Sequence, residues 1–185
     1  MLEPGELAVD SALLTGDERA LLATRDFDAV RRAQWIRGRA GLRRLAPELG
    51  SVLVHDDGAP RPLGAAWAVS LSHAGDHVAV AVLPKSRPEA RLAVDLVAHD
   101  EAPRLARILS RLKIKLFGGA ISETRVWAGL ECALKLRRRP IDDLLAVQLE
   151  IEVMPGRALV RGLGAPAQVA FMDRSRHLVG LACEP

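Results

Sequence analysis

The segment V-S-L-S-H-A-G-D-H-V-A-V-A-V, residues 69–82, decides the reading of the fold. Its apolar residues alternate and are rich in valine, which suits a pleated surface better than a helix. Two strands are expected, Ala68–Leu71 and Val78–Leu83, joined by a loop, S-H-A-G-D, that carries Ser72 and His73. After a cluster of Pro, Lys, Ser and Arg at 84–88, the run L-A-V-D-L-V at 92–97 reads as a further strand. That cluster is the best candidate linker, and it divides the chain into 1–88 and 89–185.

Helical spacing surrounds these strands. Leu21, Leu22, Val30, Trp35, Ile36, Leu42 and Leu45 predict helix over 17–47, with a break near Asp26–Asp28 and a stop at Pro47 and Gly50. Arg31, Arg32, Arg37, Arg39, Arg43 and Arg44 fill the remaining positions. A short strand, Ser51–His55, follows. Leu105, Ile108, Leu109, Leu112 and Leu116 predict a helix over 103–116 that ends at Gly118 and Gly119. Another runs from about Glu123 to Arg138, capped by Ser122 or Thr124 and stopped by Pro140. The tail reads as strands at 146–153, 158–161, 168–173 and 177–182. Helices followed by strands in each half give an α+β fold.

At 185 residues, with 49% apolar and 26% charged side chains, the chain has the balance of an ordinary globular protein. No apolar run approaches the roughly 20 residues of a membrane span, so no membrane association is expected. The start, M-L-E-P-G-E-L, has neither a basic lead nor an apolar signal core, which leads us to expect a cytoplasmic location. Cys132 and Cys183 read as free thiols, and no cysteine metal site is suggested. The net charge is +3, carried mostly by arginine, which suits bidentate binding of phosphate. Without tyrosine, and with only 3% aromatic residues, the chain offers no stacking platform for nucleic acid. His55, His77, His99 and His177 show no metal-ligand spacing, and no P-loop, dinucleotide or G-x-S-x-G motif occurs.

Two features resist a bland reading. Asp95 interrupts an apolar strand, where an ionised group costs several kcal/mol unless paired or coordinated. It is either a site carboxylate or an inward charge that protects a sheet edge. In W-A-G-L-E-C-A-L-K, residues 127–135, Trp127, Glu131 and Lys135 recur every four residues and share one helical face. As a surface pair, Glu131 and Lys135 contribute only about 0.3–0.5 kcal/mol. With Asp95 they supply two carboxylates and a lysine.

Together these blocks resemble the 4'-phosphopantetheinyl transferases over most of residues 13–136. The resemblance implies two similar α+β lobes packed as an internal pseudo-dimer, a monomer with its active cleft between the lobes. It implies transfer of the phosphopantetheine arm of coenzyme A to a serine of an acyl or peptidyl carrier protein of polyketide, fatty-acid or nonribosomal peptide synthesis. Asp95 and Glu131 fall on the family's Mg²⁺ carboxylates, and two acids suffice because Mg²⁺ completes its shell with water and substrate phosphate. Lys135 falls on the lysine that contacts coenzyme A phosphate. Ser72 and His73 fall on the S-H pair that meets the same ligand. W-I-R-G-R-A-G-L-R-R-L matches the arginine helix, so Arg39 or Arg43 would hold the 3'-phosphate side. Glu131, or a metal-bound water, would take the serine proton, and Lys135 would stabilise the leaving 3',5'-adenosine diphosphate.

The sequence departs from the family pattern at Ala93, where glycine is usual, at Val97, where a second acid stands, and at Leu130, where a lysine precedes the glutamate. Cys132 replaces an alanine, and Ala59 replaces the lysine of a G-K-P turn. These departures sustain an alternative: a catalytically lapsed homologue that binds a carrier protein or coenzyme A.

Overall fold

The computed structural model describes residues 10–54, 60–62, 66–85, 87, 89–119 and 121–184. His55 and Ala59 lie outside them, as does Pro88, on which the expected boundary falls. The chain divides into two units, one ending at Ala90 and the other spanning Arg91–Glu184. The fold is α+β, and among the described residues no helix is long and apolar enough to cross a membrane.

In the first unit, helices α1 (Gly16–Ala23) and α2 (Ala29–Leu45) precede strands β1 (Val52–Val54), β2 (Pro60–Pro62), β3 (Trp67–Ala74) and β4 (His77–Pro84). Thr15 and Glu18 cap α1 reciprocally, and Asp28 restarts the helix by accepting from the Arg31 N–H at 2.7 Å. The expected break at Asp26–Asp28 is thus a fresh N-cap. Leu42, Ala46, Leu49, Val52 and Val69 form a core against Trp67, Leu71, Val80 and Val82. A second cluster joins Leu14, Leu22, Trp35 and Ile36.

The hairpin is tighter than the sequence suggests. The S-H-A-G-D loop does not exist as such, because β3 continues through Ser72 and His73 to Ala74, which pairs with His77. Only Gly75 and Asp76 turn the chain, with Gly75 at φ 53°, the positive value that hairpin turns need at their first central residue. Ser72 and His73 are therefore strand residues, paired with Ala79 and Val78.

The second unit is built on a six-stranded sheet in the order β5-β10-β9-β8-β7-β6. Its strands are β5 (Arg91–Ala98), β6 (Ile114–Gly118), β7 (Leu149–Met154), β8 (Arg157–Arg161), β9 (Ala167–Asp173) and β10 (His177–Glu184). Helix α3 (Ala102–Leu109) follows β5, and α4 (Glu123–Arg137) with the short α5 (Asp143–Ala146) connects β6 to β7. That helical crossover is what lets β6 and β7 run parallel, while every other pairing is antiparallel.

Two sequence expectations are corrected here. The helix expected over 103–116 ends at Leu109, where Ser110 Oγ bonds the Arg107 carbonyl at 2.9 Å. The leucine and isoleucine spacing runs across two elements, because Ile114 and Leu116 instead alternate on β6 opposite Leu149 and Ile151. Gly118 ends that strand at φ 108°, and a Cβ there would lie 2.0 Å from the Val153 carbonyl oxygen, so no other residue fits. The strand expected from Ala146 starts at Leu149, since Asp143–Ala146 form α5.

Ser122 is the N-cap of α4, accepting from Arg125 N–H at 3.3 Å. Val126, Leu130, Ala133, Leu134 and Leu136 bury one side of the helix against Leu149, Ile151, Val153, Val160 and Val169. Gly180 of β10 lets α4 approach the sheet, since a Cβ there would meet Cys132 Sγ at 3.2 Å and Ala128 Cβ at 3.3 Å.

Candidate functional site

Two clusters matter, one in each unit. In the second, Asp95 stands directly across from Gly180 in the β5–β10 register, on the face where α4 packs. Only 5% of Asp95 is exposed. Its burial is offset by Lys135 of α4, whose Nζ donates to Asp95 Oδ1 at 2.8 Å and to the Val94 carbonyl at 2.9 Å. The buried Cys132 thiol bonds the Asp95 main chain, and burial, reinforced by the Asp95 charge, pushes this thiol up. It is inert as a nucleophile.

Glu131 lies one turn before Lys135 and is half-buried. Burial raises its pKa above the ordinary carboxylate value, the Asp95 charge raises it further, and Lys135 opposes both. The sequence therefore brings Asp95, Glu131 and Lys135 to one place. Trp127, on the same stripe, packs against Val97, Leu105, Ala128 and Leu178. Among the described residues no group of three or more His, Cys, Asp and Glu side chains could hold a metal. Asp95 and Glu131 nevertheless fit a magnesium-type ion: both are hard oxygen donors, and such an ion needs only one or two protein carboxylates. A cation beside them would relieve the repulsion that lifts Glu131.

Four of the departures, Ala93, Val97, Leu130 and Cys132, turn out to be core residues, and two of these stand where the family carries a charge. Leu130 is 0% exposed and Val97 3%, each within an apolar cluster. Leu130 falls midway between Val126 and Leu134 on a four-residue apolar stripe, a signal that was present in the sequence. Neither side chain reaches solvent, so neither position is a place where phosphate could be met.

In the first unit, α2 presents Arg31, Trp35, Arg39 and Arg43 at four-residue intervals. Arg43 is committed: its Nη2 lies 2.9 Å from the carboxylate of Glu18, itself 0% exposed, and 3.1 Å from the Gly50 carbonyl. Glu18 also accepts from the Val52 and Thr15 N–H groups at 2.8 and 3.0 Å. Arg39 is different. Only 4% of it is exposed, it stacks 4.0 Å over the Trp35 ring, and its Nε and Nη2 have no hydrogen-bond partner among the described residues. Burial lowers its pKa to about 10, with Glu18 opposing and Arg31 and Arg43 adding repulsion. A buried cation left with unmade bonds is costly, and an anion would satisfy it.

Arg31, which sequence reasoning passed over, makes a short contact from Nη1 to His73 Nε2. Gln34 and Arg37 donate to the Gly75 and Asp76 carbonyls at 2.7 and 2.9 Å, tying α2 to the tip of the β3–β4 hairpin. His73 is thereby held among the α2 arginines by the fold itself. The spacing R-x-x-x-W-x-x-x-R from 31 to 39 was the signal that would have found Arg31. Comparison with protein-family models and with curated proteins finds no match to this chain.

Proposed function

We propose that this protein is a 4'-phosphopantetheinyl transferase that moves the phosphopantetheine arm of coenzyme A to a serine of an acyl or peptidyl carrier protein. One observation carries the reading: a strand aspartate in an apolar run, Asp95, meets the Glu131–Lys135 pair of a helix. In this reading the two α+β units are the lobes of an internal pseudo-dimer, acting as a cytoplasmic monomer, and Asp95 and Glu131 would hold Mg²⁺. The bound cation would neutralise charge on the pyrophosphate.

The remaining work falls to side chains. Arg39 donates its unmade N–H bonds to a coenzyme A phosphate, with His73 and Arg31 alongside, and Ser72 lines the same strand. Arg43 keeps Glu18 neutralised, which supports the arginine helix. The carrier serine Oγ attacks the phosphorus that bears pantetheine, and the bond to 3',5'-adenosine diphosphate breaks. The Glu131 carboxylate accepts the serine proton. The Lys135 ammonium stabilises the departing phosphate.

The second reading, a lapsed homologue that binds coenzyme A or a carrier protein without turnover, is favoured by one observation: the second acid and the helix lysine of the family are here the buried Val97 and Leu130. Incubating the protein with coenzyme A, Mg²⁺ and a panel of apo carrier proteins distinguishes the two readings by intact mass. Modified carrier supports the transferase. Coenzyme A binding by calorimetry without modification supports the lapsed form.

A further inference from the structure

We infer that Lys135 is an internal counter-ion that a divalent cation must displace from Asp95, so that cation and phosphate-bearing ligand bind cooperatively. The inference rests on the metal-site reading above and adds an order of events to it. Lys135 Nζ already sits 2.8 Å from Asp95 Oδ1 and is held there by the Val94 carbonyl at 2.9 Å. A cation drawn to Asp95 and Glu131 therefore meets an ammonium on one of its two carboxylates, and the two like charges repel at such range.

The geometry allows the exchange. The Asp95 side chain is 7% exposed and cannot leave, whereas that of Lys135 is 29% exposed at the end of a flexible four-carbon stem. The displaced ammonium needs a new anion, and a ligand phosphate provides one. Phosphate that captures Lys135 frees Asp95 for the cation, and a cation that expels Lys135 readies it for phosphate. Thermodynamic linkage requires the two effects to be equal. The cation should bind weakly alone and more tightly with coenzyme A present.

The protein has four lysines, so the Lys135 ammonium resonance is readily assigned by its loss in Lys135→Gln. In ¹H–¹⁵N spectra of the wild type, Mg²⁺ at saturation should abolish the Asp95-bonded ammonium signal. Mn²⁺ titrations followed by electron paramagnetic resonance should find Lys135→Gln binding the ion about tenfold tighter than wild type without coenzyme A, the scale of one charge-assisted bond. The enhancement by coenzyme A should shrink in the variant. An ammonium signal that persists once the ion is bound overturns the inference, and so does unchanged or weaker Mn²⁺ binding by a folded Lys135→Gln. In both cases the metal site itself stands. If neither protein binds Mn²⁺, with or without coenzyme A, the metal reading falls and this inference with it. Should Lys135→Gln not fold, the resonance is assigned by elimination with Lys85→Gln, Lys113→Gln and Lys115→Gln, and the wild-type spectra then decide.

Discussion

Arg43 closes on the buried carboxylate of Glu18 at 2.9 Å, whereas Arg39, one turn earlier on α2, leaves two buried guanidinium nitrogens without hydrogen-bond partners among the described residues. The two arginines are chemically alike and opposite in consequence. Arg43→Met strands a fully buried carboxylate and should destabilise the protein by about 3–5 kcal/mol. Arg39→Met removes a guanidinium whose burial is only partly compensated, by Trp35 and Glu18, and should raise stability by about 1 kcal/mol while removing coenzyme A binding. Chemical denaturation and calorimetry on both variants check this. Comparable destabilisation in both would make Arg39 a structural cation.

Glu131 should show its environment in the pH dependence of stability. Its folded pKa is raised above the ordinary 4.5, so its ionised form is disfavoured in the folded state, and stability is lost as pH rises through the folded value. Glu131→Gln should therefore unfold at a higher temperature than wild type at neutral pH, with the gap closing as pH falls below 4.5. Melting curves across pH test the sign. A gap that widens towards acid would contradict the assignment.

Introducing the residues usual in 4'-phosphopantetheinyl transferases at positions 97 and 130 should not increase transfer. Val97→Glu and Leu130→Lys each place a charge in an apolar cluster, at a cost of roughly several kcal/mol without a partner. Both should lower the unfolding midpoint sharply and leave Mn²⁺ affinity no higher. A stable Val97→Glu protein with tighter Mn²⁺ binding would show instead that this position opens towards the site.

Much of this was readable in advance where one local rule dominates. Asp95 stood out because a single charge in an apolar strand demands a partner, and Lys135 supplies it. The helix break was legible because Asp28 is a good cap, and α4 because its stripe is regular. The rest depended on tertiary pairing. Ile114–Gly118 read as helix because leucine spacing runs on from α3, and only β7 selects the strand. Ser72 and His73 read as loop because their strand role depends on the register set by Gly75. Arg39 and Arg43 were inseparable in sequence, since Glu18, which claims one of them, comes from a different helix.

The most direct test of the account is the transfer reaction itself, read by intact mass on an apo carrier protein with coenzyme A and Mg²⁺, for wild type and Glu131→Gln in parallel. The account predicts that wild type adds one phosphopantetheine group to the carrier serine and that Glu131→Gln, folded and at least as stable, adds none. A wild type that binds coenzyme A but leaves every carrier unmodified, or a Glu131→Gln protein that transfers as fast as wild type, would contradict it.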